Sequence, residues 1–310
     1  MSYFFILIGF ILLIKCADIF VSGCSNLAKV FRIPTIIIGL TIVAFGTSAP
    51  EASVSLIASL KGSNTISVGN IVGSNICNLL LVLGISSLFG YIKIEEKVLT
   101  RDYSYSLLAY IILFLMTVTP FIFGYNISRI SKFEGSVLLV FIIVYLIMLY
   151  NASKSKKESV RENFKFKYII NIIIGLIGII LGGDLVVDNA TIIAKILGVS
   201  NNVIALTIVA IGTSLPELVT SAVATYKKET DIAIGNIIGS NIFNIFFILG
   251  LSGVIGNITL EFESLMDIII MNLTGILVLM LLYKNKQIDY KKGIFMLSLY
   301  IIYIIYILIR

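Results

Sequence analysis

The hexapeptide Gly46-Thr47-Ser48-Ala49-Pro50-Glu51 returns as Gly212-Thr213-Ser214-Leu215-Pro216-Glu217, 166 residues later. The same ungapped shift carries Gly69-Asn70-Ile71-Val72-Gly73-Ser74-Asn75-Ile76-Cys77-Asn78 onto Gly235-Asn236-Ile237-Ile238-Gly239-Ser240-Asn241-Ile242-Phe243-Asn244. Between 41–90 and 207–256, 25 of 50 positions are identical. The chain is therefore a duplication, and each copy sets a carboxylate inside an apolar stretch. Internal repetition of this kind points to an architecture of two related halves with a shared site between them.

The setting of those carboxylates follows from composition. Hydrophobic residues make up 58% of the chain, charged residues only 13%, and the mean hydropathy is +1.06. A soluble surface needs roughly a quarter of charged residues, so an integral membrane protein is expected. There is no His and no Trp, which excludes histidine proton relays, Ser-His-Asp triads and His-ligated zinc or haem. Most enzyme classes go with them. Cys16, Cys24 and Cys77 lie in apolar segments without metal spacing and read as small hydrophobes. The apolar start lacks a basic leader and reads as a retained first span.

Ten apolar segments are long enough to cross a bilayer as helices: 3–24, 33–60, 65–89, 104–124, 134–151, 168–194, 200–226, 231–255, 265–283 and 292–309. The expected organisation is a first repeat at 1–151, a polar linker at 152–167 and a second repeat at 168–310. Five spans separate equivalent positions, and five is odd, so the halves would enter the membrane from opposite sides. Basic residues agree, gathering in alternate loops: Lys29 and Arg32; Lys93, Lys97 and Arg101; Lys154, Lys156, Lys157, Arg161, Lys165 and Lys167; Lys227 and Lys228; Lys284, Lys286, Lys291 and Lys292. The positive-inside rule makes those loops cytoplasmic and places both termini, with Glu261 and Glu263, outside. The net charge of +6 thus reports membrane orientation, and no nucleic-acid partner is implied.

Pro50 and Pro216 fall in mid-span, where each lacks an N–H and clashes with the carbonyl of Gly46 or Gly212. A kink or unwound turn is expected in spans two and seven. Freed backbone groups at that depth are tolerated only where they line a cavity or hold something. Thr47 and Glu51 are four apart, as are Thr213 and Glu217, which predicts a hydroxyl and a carboxylate on one helix face. Ser74 with Asn78, and Ser240 with Asn244, add a hydroxyl and an amide each. Glycines 69, 73, 235 and 239 predict close helix approach.

An ionised Glu in mid-membrane costs at least about 2.5 kcal/mol without a partner. No Lys or Arg lies near Glu51 or Glu217 in sequence, so a bound cation is the expected partner. Carboxylate, hydroxyl and amide oxygens form a hard ligand set suited to Ca2+ or Na+ and not to Zn2+ or Cu+. Two negative charges balance one Ca2+, whereas monovalent ions would have to bind in numbers.

On these paired motifs the chain resembles the sodium/calcium exchanger family of the cation/calcium antiporters, along its whole length and in compact prokaryotic form. The resemblance implies an all-α membrane fold, with ten transmembrane helices as two inverted five-helix repeats and broken helices two and seven. It implies that Glu51 and Glu217 bind Ca2+ and share Na+. Thr47, Ser48, Thr213 and Ser214 would supply hydroxyl or backbone oxygens, and Ala44 and Ala210 backbone carbonyls for Na+. Ser74, Ser240, Asn78 and Asn244 would complete the ring. It further implies alternating access by sliding of spans one and six, with Ca2+ and Na+ as transported ions and no cofactor. Some prokaryotic relatives and the potassium-dependent branch have Asp where this chain has Asn244, so Asn at both 78 and 244 resembles the potassium-independent branch.

Competing readings are weaker. A proton/Ca2+ antiporter would use the same glutamates, yet the Gly-Asn segments lack the Glu of the pattern that the proton-coupled branch resembles. A passive channel does not call for inverted repeats with broken helices. Asp18 and Asp184 correspond under the shift and could suggest an aspartic protease dyad, but inversion sets them on opposite sides, and a structural or gating role is the first expectation. Lys15, three residues before Asp18, is expected to be a partner of that carboxylate or a snorkelling side chain. Serines can also bond back to their own helix, and asparagines can serve as interhelical glue.

Overall fold

The computed structural model describes residues 2–62, 64–123, 128–155, 162–198, 208, 210–260, 262–283 and 285–309. Among the described residues, eight helices are long and apolar enough to cross a membrane, and a bent pair makes a ninth if counted as one span. They are α1 (Ser2–Phe31), the bent pair α2 (Thr35–Thr47) and α3 (Ala49–Leu60), α4 (Ile66–Leu88), α5 (Val98–Pro120), α6 (Lys132–Lys154), α7 (Lys167–Ile196), α10 (Thr230–Ile255), α11 (Glu263–Tyr283) and α12 (Tyr290–Ile309). Between α7 and α10 come α8 (Ala210–Thr213) and α9 (Leu215–Tyr226). Most of the first half of the expected seventh span, residues 200–207 and 209, lies outside the described residues, as do Lys156, Lys157, Arg161, Glu261 and Lys284.

The repeated motif breaks its helix in the same way twice. Ser48 (φ −80°, ψ 9°) and Ser214 (φ −87°, ψ 4°) leave the helical region, and a new helix starts at the next residue. The α2–α3 bend is 49°. Pro50 and Pro216 thus occupy the first turn of α3 and α9, where a missing N–H leaves no helical bond unmade. Among the described residues, π-helical turns at Gly39–Val43, Asn78–Val82, Val98–Tyr103 and Phe243–Leu249 add further irregularity. Two of them begin within one residue of Asn78 and Asn244, where a π turn re-aims side chains relative to an α-helix.

Helices α4 and α10 form the centre. Their most apolar stretches are 78% and 94% buried, against 22–44% for α1, α5, α6, α7, α11 and α12, whose remaining faces are left to lipid. Close approach at the centre rests on glycine: a Cβ on Gly235 would lie 2.7 Å from Gly39 Cα, and one on Gly239 would lie 2.6 Å from Ala44 Cβ. Gly69 and Gly73 have no described atom within 4 Å of such a Cβ; residue 205, the shift-mate of Gly39, lies outside the described residues. Helices α1 and α7 pack on that centre through a second apolar cluster, in which Leu13, Ala17, Phe20, Val21, Cys24, Ile179 and Val186 meet Ile38 and Val43 of α2, Leu215 and Ala224 of α9, and Ile232 and Ala233 of α10. They pack along each other through Gly175, Gly178 and Gly182. Cys16, Cys24 and Cys77 are buried and free.

Two short antiparallel ladders, which the sequence reading did not anticipate, tie the halves together. Ile92–Lys93 (β1) pairs with Gln287–Ile288 (β4), and Ser128–Ile130 (β2) pairs with Ile258–Leu260 (β3). The 166-residue shift carries β1 onto β3, so each repeat lends one such strand to the other. Lys15 is exposed and is not the partner of Asp18. That role falls to Lys227, with Nζ 2.7 Å from Asp18 Oδ1, because α9 packs against α1 and Lys227 is the residue that follows its last turn. Asp184 is exposed on α7.

The glycine contact predicts a steric cost. Gly235→Ala forces a methyl group onto the Gly39 backbone and should destabilise the fold by about 1–3 kcal/mol, the usual penalty of overpacking. The thermal midpoint of the detergent-solubilised protein should fall, and an unchanged midpoint would contradict this packing.

Candidate ion-binding site

Breaking the helix at Ser48 and Ser214 separates each motif hydroxyl from its own carboxylate and hands it to the other repeat. Ser48 Oγ donates to Glu217 Oε1 at 2.9 Å, and Ser214 Oγ donates to Glu51 Oε1 at 3.2 Å. From the following span, Ser74 donates to Glu51 Oε1 at 3.4 Å and Ser240 to Glu217 Oε1 at 3.3 Å. Ser214 and Ser74 also meet, at 3.2 Å. Both glutamates are fully buried, at 1% and 0% exposure. None of the ion pairs among the described residues involves either.

The threonines are placed differently from the simple four-residue face. Because the helix ends between Thr47 and Glu51, Thr47 Oγ1 turns to Asn236 Oδ1 at 2.8 Å, and Thr213 Oγ1 to Asn70 Oδ1 at 3.4 Å. Asn236 and Asn70 in turn brace the broken helices. Asn70 Nδ2 donates to the Glu51 carbonyl at 3.2 Å and to Ser55 Oγ at 3.0 Å; Asn236 Nδ2 donates to the Glu217 carbonyl at 3.3 Å and to Ser221 Oγ at 2.9 Å. These two amides were visible in the repeated Gly-Asn dipeptides, but their reach across to the break depends on tertiary packing. The Ala44 carbonyl accepts from Ser48 N at 3.0 Å and from Thr47 and Ser240 hydroxyls at 3.4 Å each. Ala210 opens the short helix α8.

Asn78 and Asn244 are buried at 1% and 0% exposure. Each commits its NH2 to the opposite repeat: Asn78 Nδ2 to Asn241 Oδ1 at 3.0 Å, and Asn244 Nδ2 to Asn75 Oδ1 at 2.9 Å. Among the described residues seven buried side-chain atoms lack a hydrogen-bond partner. Three are hydroxyls, of Ser86, Ser106 and Thr220. The other four are Glu51 Oε2, Glu217 Oε2, Asn78 Oδ1 and Asn244 Oδ1. A carboxylate or amide oxygen can only accept, and leaving such a group buried without a donor costs about 1–3 kcal/mol, more when it is charged. All four orphans come from shift-related pairs. Their chemistry fits a hard cation, which would supply the positive charge that no protein donor provides. No group of three or more Asp, Glu, His or Cys side chains suited to a metal occurs among the described residues, so such an ion would rely on hydroxyl and amide oxygens besides two carboxylates.

Comparison with known proteins gives the same direction. The family described as "Sodium/calcium exchanger protein" matches residues 1–151 and 167–309. The chain is 30% identical to the sodium/calcium exchanger MaX1 of Methanosarcina acetivorans, over 98% of this chain and 97% of the relative. It is 36% identical to the membrane protein MJ0091 of Methanocaldococcus jannaschii, over 96% and 95%. In three dimensions it is similar to the sodium-calcium exchanger NCX_Mj soaked with Na+ and Sr2+, with a TM-score of 0.84, 33% identity and 98% and 97% coverage. With matches along nearly its full length in profile, sequence and fold, this chain is a membrane protein of the sodium/calcium exchanger family.

Proposed function

We propose that the protein is a secondary antiporter that moves Na+ in one direction and Ca2+ in the other, exporting Ca2+ from the cytoplasm by alternating access. One observation carries this reading: four buried, acceptor-only oxygens, on Glu51, Glu217, Asn78 and Asn244, have no protein donor. In this reading those residues hold the ion together with Ser74 and Ser240. Ser48, Ser214, Thr47 and Thr213 contribute hydroxyl or backbone oxygens, and Ala44 and Ala210 contribute carbonyls toward Na+. The chain would cross the membrane ten times, as inverted repeats 1–151 and 168–310 joined by a cytoplasmic linker at 152–167, with both termini outside. The ladders β1–β4 and β2–β3 support that count, since ten spans put each strand on the same side as its partner.

The residues divide the work in a definite way. Glu51 and Glu217 supply two negative charges that neutralise one Ca2+ or more than one Na+. Ser48 and Ser214 hold one oxygen of each carboxylate by a cross-repeat hydrogen bond and so leave the second oxygen for the ion. The amides of Asn78 and Asn244 offer neutral oxygens, which replace water of hydration without adding charge. Movement of α1 and α7 over the centre would expose the site to one side at a time.

The direct test is uptake of radiolabelled Ca2+ into proteoliposomes loaded with Na+. Uptake should depend on the Na+ gradient and vanish when it is dissipated. Uptake driven equally well by a pH gradient, or indifferent to both, would reject Na+ coupling. A second test removes one charge. Glu51→Gln or Glu217→Gln should each lower exchange at least tenfold, about 1.4 kcal/mol of lost stabilisation. Ca2+ should raise the thermal midpoint of the wild-type protein and leave that of either variant unmoved. Near-normal transport in either variant would contradict the assignment.

A further inference from the structure

Beyond the four orphan oxygens lies a second line of asparagines, and the bonding of one of them, Asn75, admits one direction. The main-chain carbonyl of Asn241 can only accept, and it receives Asn75 Nδ2 at 3.4 Å. Asn75 must therefore present Oδ1 on its other side, where Asn244 Nδ2 donates to it at 2.9 Å. That bond uses the NH2 end of Asn244 and leaves its Oδ1 facing away from Asn75, buried and without a donor. On the first repeat, Asn241 accepts from Asn78 Nδ2 at 3.0 Å and donates to Tyr110 OH at 2.7 Å, a hydroxyl that can bond either end of an amide, so the fixed direction is confined to Asn75. We propose that Asn75 is a positioning residue: it fixes the amide of Asn244 so that oxygen, and never NH2, faces the transported cation. A reversed amide would direct two N–H groups at a positive ion. The proposal rests on the antiporter reading above.

A double-mutant cycle separates positioning from mere packing, because a carboxylate has two equivalent oxygens and needs no such orientation. Asn75→Leu should raise the KM for Ca2+ about tenfold, with the maximal rate changed less than twofold. In an Asn244→Asp background the same substitution should change KM less than twofold. Should Asn75→Leu fail to fold, Asn75→Ala is read in the same cycle. Equal effects in both backgrounds, or an unchanged KM in the first, would overturn the proposal. Absence of Na+-driven Ca2+ uptake in the wild-type protein would instead reject the antiporter reading itself.

A separate observation concerns access. Lys227, at the end of α9, holds α1 through Asp18 Oδ1 at 2.7 Å, the Asp18 carbonyl at 3.2 Å and Ser22 Oγ at 2.6 Å. The 166-residue shift maps Lys227, Asp18 and Ser22 onto Lys61, Asp184 and Asp188. Those three are exposed, and among the described residues none forms an ion pair. Packing follows the same asymmetry, since α1 lies along α9 whereas α7 makes no comparable contact with α3. We infer that the two ion pairs form in alternation, Lys227–Asp18 in the state described here and Lys61–Asp184 in the opposite one. The second latch would set one Lys between two carboxylates, where the first has a carboxylate and a hydroxyl.

Thiol cross-linking tests this, with the wild-type protein and its buried cysteines as the control. Asp18→Cys/Lys227→Cys and Lys61→Cys/Asp184→Cys, treated in membranes with a short reducible bifunctional thiol reagent, should both cross-link. Each cross-link should stop transport until it is reduced. Cross-linking of the first pair alone, or full transport with the second pair cross-linked, would overturn the inference.

Discussion

The arrangement depends on an exchange of hydrogen bonds between halves: Ser48 of the first repeat serves Glu217 of the second, and Ser214 serves Glu51. Neither repeat could bury its own glutamate with this bonding alone. An isolated buried carboxylate is among the costliest groups a membrane interior can hold, so each half is stable in this form only when the other is docked against it. The break after Ser48 and Ser214 makes the exchange possible, because a continuous helix would keep the hydroxyl three residues from its own Glu on a neighbouring face. Pro50 and Pro216 are then less the cause of a damaged helix than the start of a new one.

Much of this was legible in the sequence, and the reasons are physical. The gapless repeat announced two related halves with a shared site between them, and the apolar runs announced membrane helices. The charge of Glu51 and Glu217, without a basic neighbour, announced a need for compensation. What the sequence could not carry was which hydroxyl faces which carboxylate. Spacing arguments assume an unbroken helix, so Thr47 was matched with Glu51, whereas the break turns it to Asn236. Asn70, Asn236, Asn75 and Asn241 stood in the quoted motif, but their bonds all cross to another element and have no sequence period. The partner of Asp18 was missed for the same reason: Lys15 is near in the chain, while Lys227 is near in space.

The central helices show how a polar site is kept inside an apolar layer. Gly39 and Gly235 bring backbones into contact, and Gly239 meets Ala44. At that separation asparagine amides from one repeat reach carbonyl and amide oxygens of the other. Bulkier residues would hold the helices apart and leave those amides unpaired, each at a cost of about 1–3 kcal/mol. Small residues at the interface are thus what allows so many polar side chains to be satisfied at all. Helices α1 and α7 pack on this centre through a mainly apolar cluster shared with α2, α9 and α10.

Charge counting links the site to coupling on the antiporter reading. Two carboxylates and two neutral amides give the ion-free cluster two negative charges when ionised. One Ca2+ or two Na+ cancel them. Closing an apolar layer over an uncompensated pair of charges is disfavoured by the cost of their desolvation, whereas closing it over a neutral, ion-filled cluster is not. The barrier to helix movement is then lowest when the site is loaded and highest when it is bare. That difference is what separates obligatory exchange from leak. Replacing the Asn244 amide by a carboxylate would add a third charge and shift the balance toward a larger cationic load. On that reading the neutrality of Asn78 and Asn244 would be part of the coupling as much as of the coordination.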